Sequence, residues 1–350
     1  MTRLGLQERD IVPRNIGERL EDARKYRASK RMAYEEGFEE FAKTSIPVVL
    51  NGRPFKAHRN INLYIDMTSA CDADCDFCIA KVNFTRNAKP IDPLWVREAL
   101  DICAPANPSI QITGGEPTLF PAKLRDIINI VGHKKPRRPV INTNGRRLAD
   151  VIDLLIDGPV EHVNISRHHY NDSVNARIMR TKSIDSETLG KCTRLIRGKT
   201  RIQCNLLGGE IDTYGEVMQF LAYCYHKLSA RNIVFALLTP LPKDSFYAPS
   251  IIKCVQESPV DADVILRRIE DDSRFVFEKY RGGVACYYEV WKYMSYEEPM
   301  TVIFKYSDNY WLEKADADDL LLPDLVLHTD GTLSGSWCKD RKIIAKLQGY

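Results

Sequence analysis

The 350-residue chain has 44% hydrophobic and 28% charged residues and a formal net charge of +3. That balance suits an ordinary folded protein, and the near-match of basic and acidic residues gives no reason to expect a nucleic-acid partner. No apolar run approaches the ~20 residues of a membrane span, and the first residues, MTRLGLQERDIVPRN, lack the apolar stretch of a signal peptide. The expectation is a cytoplasmic protein with one main domain and additions.

In chain order, residues 15–43 are rich in Arg, Lys, Glu and Ala and read as one or two helices. SIPVVL and RPFKA flank Asn51-Gly52, a tight-turn signal, and predict a hairpin. Residues 1–60 are thus read as an N-terminal helical extension and hairpin.

From residue 61 strands and helices alternate. The strands read as 61–67, 109–113, 139–143, 162–166, 201–207 and 232–238. Between them, Leu124, Ile127, Ile128 and Val131 form an apolar helical stripe. So do Leu148, Val151, Ile152 and Leu155, and again Val217, Phe220, Leu221 and Cys224. Asp92-Pro93 predicts a capped helix start. Six such units predict an α/β fold with a parallel sheet. Several strands alternate polar and apolar residues, which fits a partial (β/α)6 TIM-like barrel over 61–245 better than a flat sheet covered on both faces. Tyr64, Asp66, Gln111, Thr113, Asn164, Ser166, His168, Gln203 and Asn205 then face the lumen. Past the Pro-rich stretch 239–250, residues 246–350 read as a small α+β C-terminal part that covers the substrate. It includes an aromatic-rich helix from Tyr287 to Tyr296 and strands in MTVIFKY and DLVLHT.

Cys71, Cys75 and Cys78 stand in CDADCDFC just after the first barrel strand, at the end where barrel active sites gather. Three close thiolates can hold three irons of a cubane and leave the fourth open to an outside ligand. A zinc site would normally want a fourth Cys or His, and none is near in sequence.

The C-x3-C-x2-C spacing, with Phe77 before the third cysteine, resembles the signature of the radical S-adenosylmethionine (radical SAM) superfamily. ITGGEPTL (112–119), after the second strand, resembles that family's GGEP motif. The resemblance covers residues 61–240 and implies a metal-binding, oxygen-sensitive iron–sulfur enzyme. Cys71, Cys75 and Cys78 would ligate a [4Fe–4S] cluster, and the open iron would chelate S-adenosyl-L-methionine. Its reductive cleavage would yield a 5′-deoxyadenosyl radical that takes hydrogen from substrate. Gly114, Gly115 and Glu116 would bind the methionine end, Glu116 accepting from the ammonium. Thr143 and Asn144 (in INTNG), Ser166, Arg167 and Asn205 are further cofactor-contact candidates, Arg167 as a fork for the carboxylate. His168, His169 and Tyr170 could contact substrate, transfer a proton or simply form a loop.

Cys103, Cys192, Cys204 and Cys224 read as packing residues. HTDGTLSGSWC (328–338) looks somewhat like the hairpin opening SPASM or twitch extensions, but no further cysteine cluster follows Cys338. The implied partners are a flavodoxin- or ferredoxin-type reductant and a substrate. That substrate is a small polar metabolite, nucleotide or natural-product intermediate, or alternatively a ribosomally made peptide. A third reading is a non-enzymatic iron–sulfur or zinc protein for electron transfer or binding.

Overall fold

The computed structural model describes residues 20, 21, 24, 45–83, 88–182, 184–238, 249–283, 286–307, 315 and 317–348. Most of the expected N-terminal helical stretch and most of the Pro-rich stretch lie outside them. The hairpin forms as expected. Strands β1 (Ile46–Leu50) and β2 (Arg53–Ala57) pair antiparallel across Asn51 and Gly52, both at positive φ.

Six parallel strands then follow in sequence order: β3 (Asn62–Asp66), β4 (Ser109–Thr113), β5 (Arg137–Thr143), β6 (His162–Ser166), β7 (Thr200–Leu206) and β8 (Asn232–Leu237). The helices between them are α1 (Pro93–Cys103), α2 (Pro121–Lys134), α3 (Ile152–Asp157), α4 (Asp172–Met179), α5 (Ser186–Leu195) and α6 (Tyr214–His226). Asp92 caps α1, its carboxylate accepting from the Leu94 amide at 2.9 Å. All three apolar stripes are buried except Ile152, which is half-buried; the second is split between a 3-10 turn (Leu148–Val151) and α3.

The strand alternation separates two faces. Leu63, Ile65, Ile110, Ile112, Val163, Ile165, Ile202 and Cys204 are fully buried, as expected for side chains packed on the helices. Tyr64, Gln111, Ser166, Gln203 and Asn205 on the other face are half-buried. Across that lumenal face the Asn164 amide donates to Asn142 at 2.8 Å, and Asn142 donates to Gln111 at 3.4 Å.

After α7 (Pro249–Glu257) and α8 (Ala262–Glu270), the C-terminal strands extend the same sheet at both ends. Beside β8 come β11 (Met300–Ser307), β10 (Cys286–Tyr293) and β9 (Phe275–Gly283). A two-residue strand, β12 (Leu321–Leu322), joins β2. Beside β3 come β13 (Leu325–Leu327), β14 (Thr332–Ser334) and β15 (Ile343–Lys346). The expected helix from Tyr287 is therefore a correction: this segment is β10, paired on both sides. Its Glu289, Trp291 and Tyr293 share one buried face at period two. Burial raises the Tyr288 phenol of β10 well above its ordinary value, and Cys286, Tyr64 and Asp324 raise it further. Among the described residues, no helix is long and apolar enough to cross a membrane.

Candidate active site

The loop after β3 is zipped to the loop after β4. The Gly115 amide donates to the Thr68 carbonyl at 2.6 Å, and the Glu116 amide donates to Ala70 at 2.8 Å. Gly114 has φ +122°, and a Cβ on Gly115 would stand 1.9 Å from the Ala70 oxygen. The two glycines are thus required by the close approach of the cysteine loop itself.

Cys71, Cys75 and Cys78 are all partly exposed free thiols. Burial pushes Cys71 and Cys75 up to about 12, and the charge each thiolate would carry raises its neighbours further. Cys78 is raised too, with Lys81 opposing. Three half-exposed thiols that resist ionisation until a cation joins them suit an iron–sulfur cluster. Among the described residues no three His, Cys, Asp or Glu groups converge as a single metal ion requires. A cubane makes no such demand, because it spreads its thiolates over separate irons.

Each aspartate between the cysteines has a basic partner. Asp72 meets Arg146 at 3.1 Å and Arg147 at 3.4 Å, Asp74 meets Lys81 at 2.6 Å, and Asp76 meets Arg180 at 2.6 Å. The Asn144 amide donates to the Asp72 carboxylate at 2.7 Å and stands 3.9 Å from the Cys71 sulfur. The Thr181 hydroxyl donates to the Asp72 carbonyl at 2.5 Å, and the Asp74 amide to Met179 at 3.0 Å. The C-terminal end of α4 and the INTNGRR loop therefore grip the cysteine loop from two sides. Sequence reading missed this role of Asp72; the adjacent Arg146 and Arg147 were its only signal.

Glu116 is fully buried. Its Oε1 accepts from the Thr118 amide (3.0 Å), the Thr118 hydroxyl (2.6 Å) and the Thr143 hydroxyl (2.7 Å), and its Oε2 accepts from the Asn144 amide (2.6 Å). Burial raises its carboxyl while these donors lower it. Three of these bonds fall on Oε1 and one on Oε2, which leaves an Oε2 lone pair for a further donor. Glu116 ties the end of β4 to the end of β5. Thr143 is buried in that same bond, while Asn144 is half-buried and faces the cysteine loop.

Arg167 is a second correction. It is 1% exposed and points away from the lumen, between Ser166 and His168. Its guanidinium pairs with Asp172, donates to the His169 carbonyl at 2.9 Å and lies 5.3 Å from the Tyr223 ring centre. It braces the start of α4 and is not available as a carboxylate fork. His168 is buried, and burial with Arg167 nearby holds it down at about 3, so it does not titrate near neutrality. Its Nδ1 accepts from the Asn205 amide at 3.0 Å, and its ring stands edge-on to Phe77 at 4.9 Å. The structure thus brings His168 and Asn205 beside the cysteine loop. His169 accepts from the Asn171 amide at 2.9 Å and lies against the Tyr170 ring at 4.2 Å with the planes tilted by 38°, which gives both a loop-forming role.

On the lumenal side, Trp337 meets Tyr64 at 4.8 Å between ring centres. The Cys286 thiol donates to the Tyr288 oxygen at 3.0 Å, and burial raises both groups. Asp324, raised to about 7 by burial, accepts from the Asn62 side chain at 3.0 Å.

Residues 65–224 match the model of the Radical SAM superfamily. It is similar to the GTP 3′,8-cyclase of Mycolicibacterium smegmatis, with 21% identity over 60% of this chain and 56% of the relative. A probable GTP 3′,8-cyclase of Metallosphaera sedula is 31% identical over 33% of this chain and 35% of that protein. The FeMo cofactor biosynthesis protein NifB of Klebsiella pneumoniae is 23% identical over 37% and 30%. The chain therefore spans 30% to 56% of the length of these relatives. Among solved structures, Streptococcus suis SuiB bound to S-adenosylmethionine shares the fold. Its TM-score is 0.54 at 13% identity, over 79% of this chain and 60% of SuiB. The family is one of enzymes whose cofactors are a [4Fe–4S] cluster and S-adenosylmethionine.

Proposed function

We propose that Cys71, Cys75 and Cys78 hold the cluster, and that the chain acts on a small polar metabolite or nucleotide in the barrel lumen. The observation that carries this reading is the joining of the three-thiol loop to Gly114–Glu116 by two short backbone hydrogen bonds. When bound, the cluster and S-adenosylmethionine supply a carbon radical able to abstract hydrogen from substrate. The chain's own residues do the positioning. Gly114 and Gly115 let the two loops meet, while Glu116 and Asp72 fix Asn144 beside Cys71. Gly114, Gly115, Glu116, Asn144, Ser166 and Asn205 remain the candidate cofactor contacts.

The lumen supports a polar substrate. Gln111, Asn142 and Asn164 form a ladder of amides, and the Asn164 Oδ1 is buried with no hydrogen-bond partner among the described residues. Tyr64 and Trp337 add an aromatic wall. Two relatives are, by name, enzymes acting on a nucleotide, which favours that class. A low-potential flavodoxin- or ferredoxin-type protein would supply the electron. The test is anaerobic reconstitution, followed by iron and sulfide analysis and a 5′-deoxyadenosine assay with and without nucleoside triphosphates. Cofactor cleavage stimulated by a nucleotide is expected. Protein that takes up no iron would overturn the cluster assignment, and cleavage indifferent to every nucleotide would overturn the substrate class.

A further inference from the structure

The lumenal face continues beyond β8 onto strands that the six-strand core does not contain. In β11, Met300, Val302, Phe304 and Tyr306 are buried and Thr301, Ile303, Lys305 and Ser307 are half-buried, at period two. Phe304 stacks on Phe235 of β8 at 5.3 Å, and Phe235 meets Phe220 of α6 at 5.6 Å, so the buried set faces the helices. Lys305 therefore stands on the lumenal face. Register places it opposite Tyr288 of β10 on one side and Ala236 of β8 on the other, and Ala236 lies opposite Asn205 of β7. At the ordinary ~4.8 Å between strands, Lys305 is about 10 Å across the sheet from Asn205. The Asn205 amide meets His168 beside the cysteine loop.

Among the described residues the Lys305 ammonium forms no hydrogen bond and no ion pair. Its charge reaches two groups nearby. Burial raises the Cys286 thiol and Lys305 lowers it; burial raises Asp324 to about 7, while Asn62 and Lys305 lower it. Asp324 is bonded to Asn62 and does not pair with Lys305. The Tyr288 oxygen accepts from Cys286 at 3.0 Å, which leaves the phenol proton to donate. An ammonium with three donors and a phenol proton thus stand side by side as a cross-strand pair with no acceptor. A partly enclosed cation without a counter-charge is unfavourable, and an anion would relieve it. Tyr288 also lies near Tyr64, whose ring meets Trp337 at 4.8 Å. A molecule with an anionic group and a flat polar group can use both features.

We propose that Lys305 and Tyr288 receive a phosphate group of the substrate. This deepens the nucleotide reading given above and rests on it for the base, but not for the phosphate. The anchor lies on β10 and β11, away from the cysteine loop, where binding energy from a non-reacting group positions the reacting end.

The test is isothermal titration calorimetry on cluster-loaded protein holding S-adenosylmethionine, with no reductant added. The ligands are the common nucleosides with their 5′-monophosphates, and ribose with ribose 5-phosphate. Iron content is measured in every sample. Wild-type protein is expected to prefer the phosphorylated member of a pair by about tenfold or more. Lys305→Met keeps its iron, binds the unphosphorylated member as before and loses the preference. Lys305→Arg, which keeps the charge, retains part of it, and Tyr288→Phe lowers it less than Lys305→Met does. A preference for ribose 5-phosphate that depends on Lys305, with none for any nucleotide, upholds the phosphate site and overturns the nucleotide reading. A Lys305→Met protein that discriminates as the wild type does overturns the phosphate site. So does a wild type that shows no preference in any pair, an outcome that needs no variant to fold.

Discussion

The two sides of the barrel mouth bury charge in opposite ways. On the side of β4 to β6, every acidic group near the cysteine loop is answered: Glu116 by four donors, Asp72 by two arginines and Asn144, Asp76 by Arg180. On the side of β3 and β13, Asp66 faces Asp330, while the buried Asp324 is answered by Asn62. The first side is a finished scaffold that holds a loop in one shape. The second stores unfavourable electrostatics that a bound group can release, the usual contrast between a frame and a binding surface.

The largest expected effect tests whether the first side is a frame for a cluster. Replacing any one of Cys71, Cys75 or Cys78 with Ala should abolish iron uptake and the absorbance of the loaded cluster. One such variant that keeps normal iron and sulfide content would break the assignment. Next is Gly115→Ala, whose new methyl would meet the Ala70 oxygen at 1.9 Å. Separating these loops should cost about 3 kcal/mol or more, because the obstacle is backbone and not a flexible side chain. Thermal unfolding checks this, and an unchanged Tm would show that the loops do not need their close approach.

The barrel was legible because strand alternation is local. The lumenal positions of Gln111, Asn164 and Gln203 follow from period two alone, and so do the buried helix stripes. The site was legible in its cysteines and glycines and illegible in its partners. Glu116 looked like a free acceptor because Thr143 and Asn144, which donate to it, come from the next strand. Arg167 was misplaced although the same period two puts it on the outer face, where Asp172 waits five residues on. The segment from Tyr287 was misread because its aromatics suggested bulk while its alternation, visible in Glu289, Trp291 and Tyr293, went unused. Asp66 was placed in the lumen but not singled out. Its lack of a donor is a property of β4 and the β13–β14 turn, and nothing within a few residues of it announces that.

A smaller effect separates Glu116 from its neighbours. Glu116→Gln leaves one oxygen for donors that now use two, and turns an N–H towards the Asn144 amide or the Thr118 and Thr143 donors. Leaving buried donors unpaired should cost about 1–3 kcal/mol. Tm and cofactor affinity measured together divide its roles: a fall in affinity in step with Tm reports the disturbed loop, and a large affinity loss at unchanged Tm would assign the ammonium to Glu116. Asp72→Asn is expected to cost less, about 1 kcal/mol, since its ion pairs are partly solvated. Faster hydrogen exchange across residues 71–78 would report the loosened loop, and unchanged exchange would show that Asp72 does not hold it.

The last effect concerns pH and distinguishes the two sides by sign. The Asp66 carboxyl stands at about 7 in the folded chain against an ordinary 3.8. Between those values the folded state holds a proton that the unfolded state has released. Stability therefore falls as pH rises from about 4 to about 7, at up to ~1.4 kcal/mol per pH unit from this one group. Asp330 steepens the fall by repulsion, and Lys339, paired with Asp330, moderates it. Asp66→Asn removes the ionisation. In cluster-loaded protein without S-adenosylmethionine, its Tm should rise relative to wild type as pH goes from 5 to 8. Glu116→Gln should lie below wild type throughout, since its loss is one of donors left unpaired. Tm curves for Asp66→Asn and wild type that run parallel over this range would mean that Asp66 has a partner after all, and the contrast between the two sides would be lost.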